Sequence, residues 1–167
     1  MLERLRTARR AIAALVAAIA GLLGLGLLLL LGFNVLARMI DVNIIWVSET
    51  ARLLFVWGVA LGAIAVSLSD LHFRVDLRLA GRDDPLAPGW WDAVLQVMAI
   101  AALGFVLIHA APTIAKAGMQ MFASLPLDYG VMRLAIVVGL AGMLGAHVWR
   151  LVEILVSLWR PSSFPRG

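Results

Sequence analysis

The stretch AIAALVAAIAGLLGLGLLLLLGF, Ala11 to Phe33, decides the fold. It holds no charged residue. A bilayer core about 30 Å thick takes about 20 apolar helical residues, so this run is long enough to cross one. Three more stretches of the same kind follow. Trp46 to Ser69 is interrupted only by Glu49 and Arg52 near its start. The third runs from about Trp91 to Ala115 and the fourth from about Leu127 to Leu151. The expected fold is all-α and membrane-integral: four transmembrane helices in a single domain over residues 1–167. A secretory leader is the rival reading of the first stretch, which follows Arg4, Arg6, Arg9 and Arg10. The apolar core of a leader is about 7–15 residues, shorter than this run, so an uncleaved span is expected.

Composition agrees. The chain is 63% hydrophobic and 14% charged, with a mean hydropathy of +0.99. Soluble domains run about 45–50% apolar and about 25% charged. A soluble fold this apolar would expose large greasy patches. There are no cysteines, which excludes a disulfide framework, thiolate metal sites and a cysteine nucleophile.

Charge placement gives an orientation. Lys and Arg concentrate in the short cytoplasmic loops of membrane proteins. Arg4, Arg6, Arg9, Arg10, Arg74, Arg78, Arg82, Arg150, Arg160 and Arg166 fall on one side of a four-span chain. Arg38, Lys116 and Arg133 fall on the other, with Arg52 just inside the second span. The N-terminus, the C-terminus and the loop at about residues 70–89 are therefore expected to be cytoplasmic. Interfacial aromatics fit the same frame. Trp90, Trp91, Trp149 and Trp159 sit at the expected inner interface, and Phe33, Trp46, Phe122 and Tyr129 at the outer one.

Few residues could carry chemistry. Glu49 and Arg52 lie side by side at i, i+3 spacing. Ionisable groups in spans are costly and are often functional. The two residues either reach the nearby headgroups or simply pair with each other, or else they contact a partner helix or a partner protein outside the membrane. His109 and His147 raise the question of haem. At 1.5 Å per residue their depths differ by roughly 20 Å, so one iron cannot take both. Each reads better as a hydrogen-bonding residue at a helix contact or interface. His72 and Asp76 sit four apart in the middle loop, with too few neighbours for a metal.

Small residues mark packing faces. Gly58 and Gly62 form a GxxxG in the second span, and Gly139, Gly142 and Gly145 recur in the fourth. Pro112 falls late in the third span and is expected to kink it. Ser124, Pro126 and Asp128 read as the start of the fourth helix: a cap, a Pro in the first turn and an acid at the positive dipole end. No span carries an acid or base near its midpoint, and no nucleophile–base set is present. The chain lacks the parts of a self-sufficient pump or an enzyme. No cofactor and no nucleic-acid partner are expected. An accessory subunit embedded in membrane lipid fits better.

These features together resemble the small membrane subunit of tripartite ATP-independent periplasmic (TRAP) transporters, the DctQ-type family. The resemblance covers nearly the whole chain. It rests on Trp46-x-x-Glu49-x-x-Arg52 with Trp57, Gly58 and Gly62 following; on His72-x-x-Val75-Asp76; and on Ser124-Leu125-Pro126-Leu127 with Gly142-Met143 further along. Asp128 and Tyr129 depart from the family, which often carries more aromatics there. The resemblance implies a scaffold that packs against a large multi-span permease subunit and helps dock a periplasmic solute-binding protein. It implies transport of a carboxylate-bearing solute driven by an ion gradient, sodium above all. Trp46, Glu49, Arg52, Trp57, Gly58 and Gly62 would support the subunit interface. Arg38, Asp41, Lys116 and Asp128 would offer the outer docking surface, with His72 and Asp76 as the inner loop motif. A haem- or quinone-binding anchor of an electron-transfer complex is the alternative.

Overall fold

The computed structural model describes residues 2–69, 90–116 and 121–159. It has four helices: α1 (Leu2–Met39), α2 (Trp46–Leu68), α3 (Trp90–Lys116) and α4 (Gly130–Trp159). All four are long and apolar enough to cross a membrane. Helices are the natural answer to such sequence, because lipid offers no partner to an open backbone N–H or C=O. At 38 residues, α1 is about 57 Å long at 1.5 Å per residue. It overruns the apolar core at both ends, through Arg9 and Arg10 on one side and Asn34 to Arg38 on the other. The middle loop, with His72 and Asp76, lies outside the described residues.

The helices stand in a row. α1 packs on α2, α2 on α4, and α4 on α3. Two antiparallel hairpins, α1–α2 and α3–α4, are thus joined along α2 and α4. α1 turns a stripe toward its neighbour that includes Ala13, Ala20, Leu23, Leu27, Asn34 and Ala37. The rest of its surface is open: Leu15, Leu22, Leu28 and Leu29 are all more than 60% exposed. α3 is the other edge. Val97, Met98, Phe105 and Ile108 are exposed there, while Gln96 is buried against α4.

The seam between the hairpins is made by small residues. A Cβ added at Gly139 would stand 3.1 Å from the Ala60 Cβ and 3.3 Å from its Cα. One added at Gly142 would meet Ile64 Cγ1 at 2.7 Å. Ala60, Ala65, Ser67, Ala135 and Ala146 are buried. The spacing of glycines in α4 therefore does mark a packing face, and α2 is what it packs on. Gly145 does not share in it, since nothing lies within 4 Å of an added Cβ there. The two glycines of the α2 GxxxG also part company. Gly58 faces Leu23 of α1 at 3.8 Å, and Gly62 is open.

Polar contacts tie the ends and the middle. Arg9 of α1, only 4% exposed, lies 3.8 Å from Glu153 of α4. Trp149 Nε1 donates to Glu153 at 3.0 Å. This places the start of α1 beside the end of α4. His147 Nδ1 lies 2.6 Å from Gln96 Oε1, so the ring donates to the amide and couples α3 to α4. Such interhelical bonds contribute about 1 kcal/mol in a membrane. α3 continues through Pro112 to Lys116.

The fourth helix starts later than its sequence signals indicate. α4 begins at Gly130, and Leu127 lies before it in the loop. The cap is Asp128, whose Oδ1 accepts from the Gly130 amide at 3.0 Å. Ser124 does not cap α4, because a residue of α2 has taken it, as described below. Pro126 is accordingly a loop residue rather than part of a first helical turn.

The seam makes a contrast between neighbours. Gly142→Ala forces the Ile64 side chain aside, and this overpacking offsets the roughly 1 kcal/mol that alanine gains over glycine within a helix, so the variant is expected to be less stable than Gly145→Ala. Gly145→Ala, one turn away in open space, is expected to be neutral or slightly stabilising. Thermal unfolding of the purified variants in detergent measures the difference; equal midpoints would remove the seam from the account.

Candidate functional site

The end of the row that carries the α1–α2 turn and the α3–α4 loop is the most organised polar region. α1 stops there in a Schellman turn. Val42 N–H donates to the Ala37 carbonyl at 3.0 Å and Asp41 N–H to the Arg38 carbonyl at 3.2 Å. That turn needs a left-handed residue after the helix, a place usually filled by glycine. Here it is Asp41, with φ 57°. α2 then restarts at Trp46 without a side-chain cap from Ile45.

Residues 121–129 form a small hairpin on the same end. Phe122 N–H donates to the Leu127 carbonyl at 3.0 Å, and Met121 pairs with Asp128. The Phe122 ring is buried and stacks on Tyr129 with centroids 4.2 Å apart.

Glu49 binds this loop to α2. Its Oε1 accepts from the Ala123 amide at 2.8 Å. Its Oε2 accepts from the Ser124 amide at 3.0 Å and also from the Ser124 hydroxyl. Two successive amides and a hydroxyl aimed at one carboxylate are charge-assisted hydrogen bonds, roughly twice as strong as neutral ones. The contact joins residues 74 and 75 apart in sequence. No local pattern announces it. The one signal was an acid in the first turn of a span and, far away, a serine with helix-start character.

Arg52 does not pair with Glu49. It is exposed on another face of α2 and makes no ion pair among the described residues. Of the other interface candidates, Trp46 is exposed and Trp57 half-buried. Gly58 is spent on α1. The structure therefore distributes Trp46, Glu49, Arg52, Trp57, Gly58 and Gly62 around α2 instead of gathering them on one surface. Arg38, Asp41 and Ser48 do come together. With Asn34, Asn43 and Glu49 they line an open groove of about 670 Å³ beside the α1–α2 turn. Asp128 lies across the end, engaged in capping α4. Lys116 is the last residue of α3, and its side chain lies outside the described residues.

The histidines are separated in depth. His147 is level with Gln96, and His109 lies further along α3 by about 20 Å at 1.5 Å per residue. His109 Nδ1 lies 2.8 Å from the Phe105 carbonyl, and the two rings touch at 4.1 Å. Gln96, the partner of His147, was missed in the sequence. An amide inside an apolar span is itself the signal, since lipid offers it no partner. Among the described residues no group of three His, Cys, Asp or Glu could hold a metal.

Four apolar spans in a row, with packing seams and an ordered polar end, define a small polytopic membrane protein. The family model described as "Tripartite ATP-independent periplasmic transporters, DctQ component" matches residues 27–157, and the chain belongs to that family. It is a small membrane subunit of a TRAP transporter, a transport component rather than a member of an enzyme family. The match runs from the middle of α1 to the end of α4 and so includes both Glu49 and its loop. Comparison with curated proteins and with solved structures gave no match.

The clamp predicts an exchange phenotype. Glu49→Ala removes the acceptor of two amides and a hydroxyl, which then turn to water. Amide hydrogen exchange across residues 121–129 is expected to speed up, most at Ala123 and Ser124, because exchange reports local opening. Exchange in the body of α1 should not change. Unaltered exchange at Ala123 and Ser124 would show that the carboxylate does not hold the loop.

Proposed function

We propose that this chain is the scaffold subunit of its transporter, set in the bacterial inner membrane with both termini and the middle loop in the cytoplasm. It packs against the large permease subunit and supports sodium-driven uptake of a carboxylate-bearing solute. Its loop end faces the periplasm and forms part of the surface on which the solute-binding protein docks. The observation that carries this reading is the Glu49 clamp. It fixes the 121–129 loop to α2 beside the groove lined by Arg38 and Asp41. A docking surface benefits from being pre-organised, because loops that are already ordered lose less entropy on binding. Orientation is supported by the excess of arginine at the termini and in the middle loop.

The absence of native cysteines gives a direct orientation test. Asn43→Cys should react with a membrane-impermeant maleimide added to intact spheroplasts, and Ser163→Cys should react only after lysis. The reverse pattern would invert the assignment.

Asp41 separates stability from docking. A left-handed non-glycine residue costs about 1–2 kcal/mol, partly offset by glycine's larger unfolded-state entropy. Asp41→Gly is therefore expected to raise the unfolding midpoint slightly. If the carboxylate is a docking contact, the same variant lowers binding-protein-dependent uptake several-fold in proteoliposomes carrying a sodium gradient, and Asp41→Asn does so too. Full uptake by both variants would remove Asp41 from the docking surface. Uptake that persists without sodium or without the binding protein would overturn the wider reading.

A further inference from the structure

α2 is an inner helix of the row, yet one of its faces is open along its whole length. Ser48, Arg52, Phe55, Val59 and Val66 recur at helical intervals and are all exposed. Phe55, Val59 and Val66 are 57%, 56% and 51% exposed. Gly62 lies beside them with nothing within 4 Å of an added Cβ. The face is apolar except at its loop end. There Arg52 stands six residues into the helix, about 9 Å along the axis at 1.5 Å per residue. It finds no carboxylate among the described residues.

The two edge helices are different. The open faces of α1 and α3 are apolar over their spans, with alanine and glycine among the larger side chains. The polar exception is His109 near the loop end of α3, which bonds to the Phe105 carbonyl of its own helix. Lipid can cover such faces without a buried charge. A guanidinium inside a span is costly unless an anion or a polar path meets it. We infer that the open face of α2 is where this chain packs on the large membrane subunit, and that Arg52 receives a carboxylate from that subunit. This rests on the proposed scaffold role and names the surface through which it acts.

Charge decides between occupants. A second copy of this chain packed symmetrically through the same face would set Arg52 near Arg52, since a two-fold interface is self-complementary. Ser48, Phe55, Val59, Gly62 and Val66 bring no acid to offset it. A lipid phosphate could meet the guanidinium. It would leave the apolar residues along the same line covered by acyl chain, as on α1 and α3. A partner helix covers both with one element.

The test uses the complete complex, expressed with its large subunit and binding protein. The photo-reactive residue p-benzoyl-phenylalanine replaces Phe55, Val59 or Val66 on α2. As controls it replaces Leu28 on α1 or Met98 on α3. Crosslinks to the large subunit from the α2 positions, with none from α1 or α3, are the expected result. Arg52→Gln should lower recovery of the large subunit on this chain about tenfold, and Arg52→Lys should retain most of it. Crosslinks confined to the α1 or α3 positions overturn the inference while leaving the scaffold reading intact. So do adducts at twice this chain's mass. Lipid adducts alone from α2, in a complex that still co-purifies, assign the face to the bilayer and also overturn it. Full recovery with Arg52→Gln overturns the carboxylate contact. Failure of the unmodified chain to co-purify with any large subunit overturns the scaffold reading itself.

Discussion

The close approach of α2 and α4 is the constraint on which the rest depends. Each hairpin is held by its own internal packing, but the two hairpins meet along this seam. There the distance is set by what is missing. Gly139 lets the Ala60 backbone come within van der Waals reach, and Gly142 gives room to Ile64. Between helices in lipid there is no hydrophobic drive to association, because the tails are as apolar as the side chains. Close packing and a few polar bonds remain. The seam supplies the first. Arg9–Glu153 at one end, His147–Gln96 and the Glu49 clamp at the other end supply the second.

These polar contacts divide the work by position. Glu49 acts on a loop, and its three donors are groups that would otherwise have to find water. The Arg9–Glu153 contact lies between helices that otherwise scarcely touch, so it limits how far the first helix can splay from the fourth. A buried ion pair is weak support for stability in itself, although breaking one is costly. Its effect here is on geometry. It fixes which end of α1 is tied down.

The number of helices is legible in sequence because membrane thickness imposes length and lipid imposes composition; their ends are not, since α1 overruns its apolar core at both ends and α4 runs from Gly130 to Trp159. The order of the row is not. A leucine facing lipid and a leucine facing another helix look alike when both surroundings are apolar, so periodicity loses its usual meaning. Glycine spacing pointed to a packing face on α4 but could not say that α2 met it, nor that Gly145 stands outside it. The start of α4 shows a different limit. Ser124 and Asp128 are both good capping residues, and local rules favour the earlier one. A carboxylate from a distant part of the chain claims Ser124, and the helix begins on Asp128 instead. The spacing of Glu49 and Arg52 left open whether they pair, for the same reason. Spacing brings two residues near each other, but a better set of donors elsewhere can turn one of them away.

The order α1–α2–α4–α3 leaves two edge helices and no central core. The row is not flat: at one end α1 comes within ion-pair distance of α4, so the row curls there around α2. The side chains buried inside the chain are chiefly small ones, such as Ala51, Ala60, Ala135 and Ala146. An arrangement of this kind spends little of its surface on itself and leaves most of it to whatever surrounds the chain in the membrane.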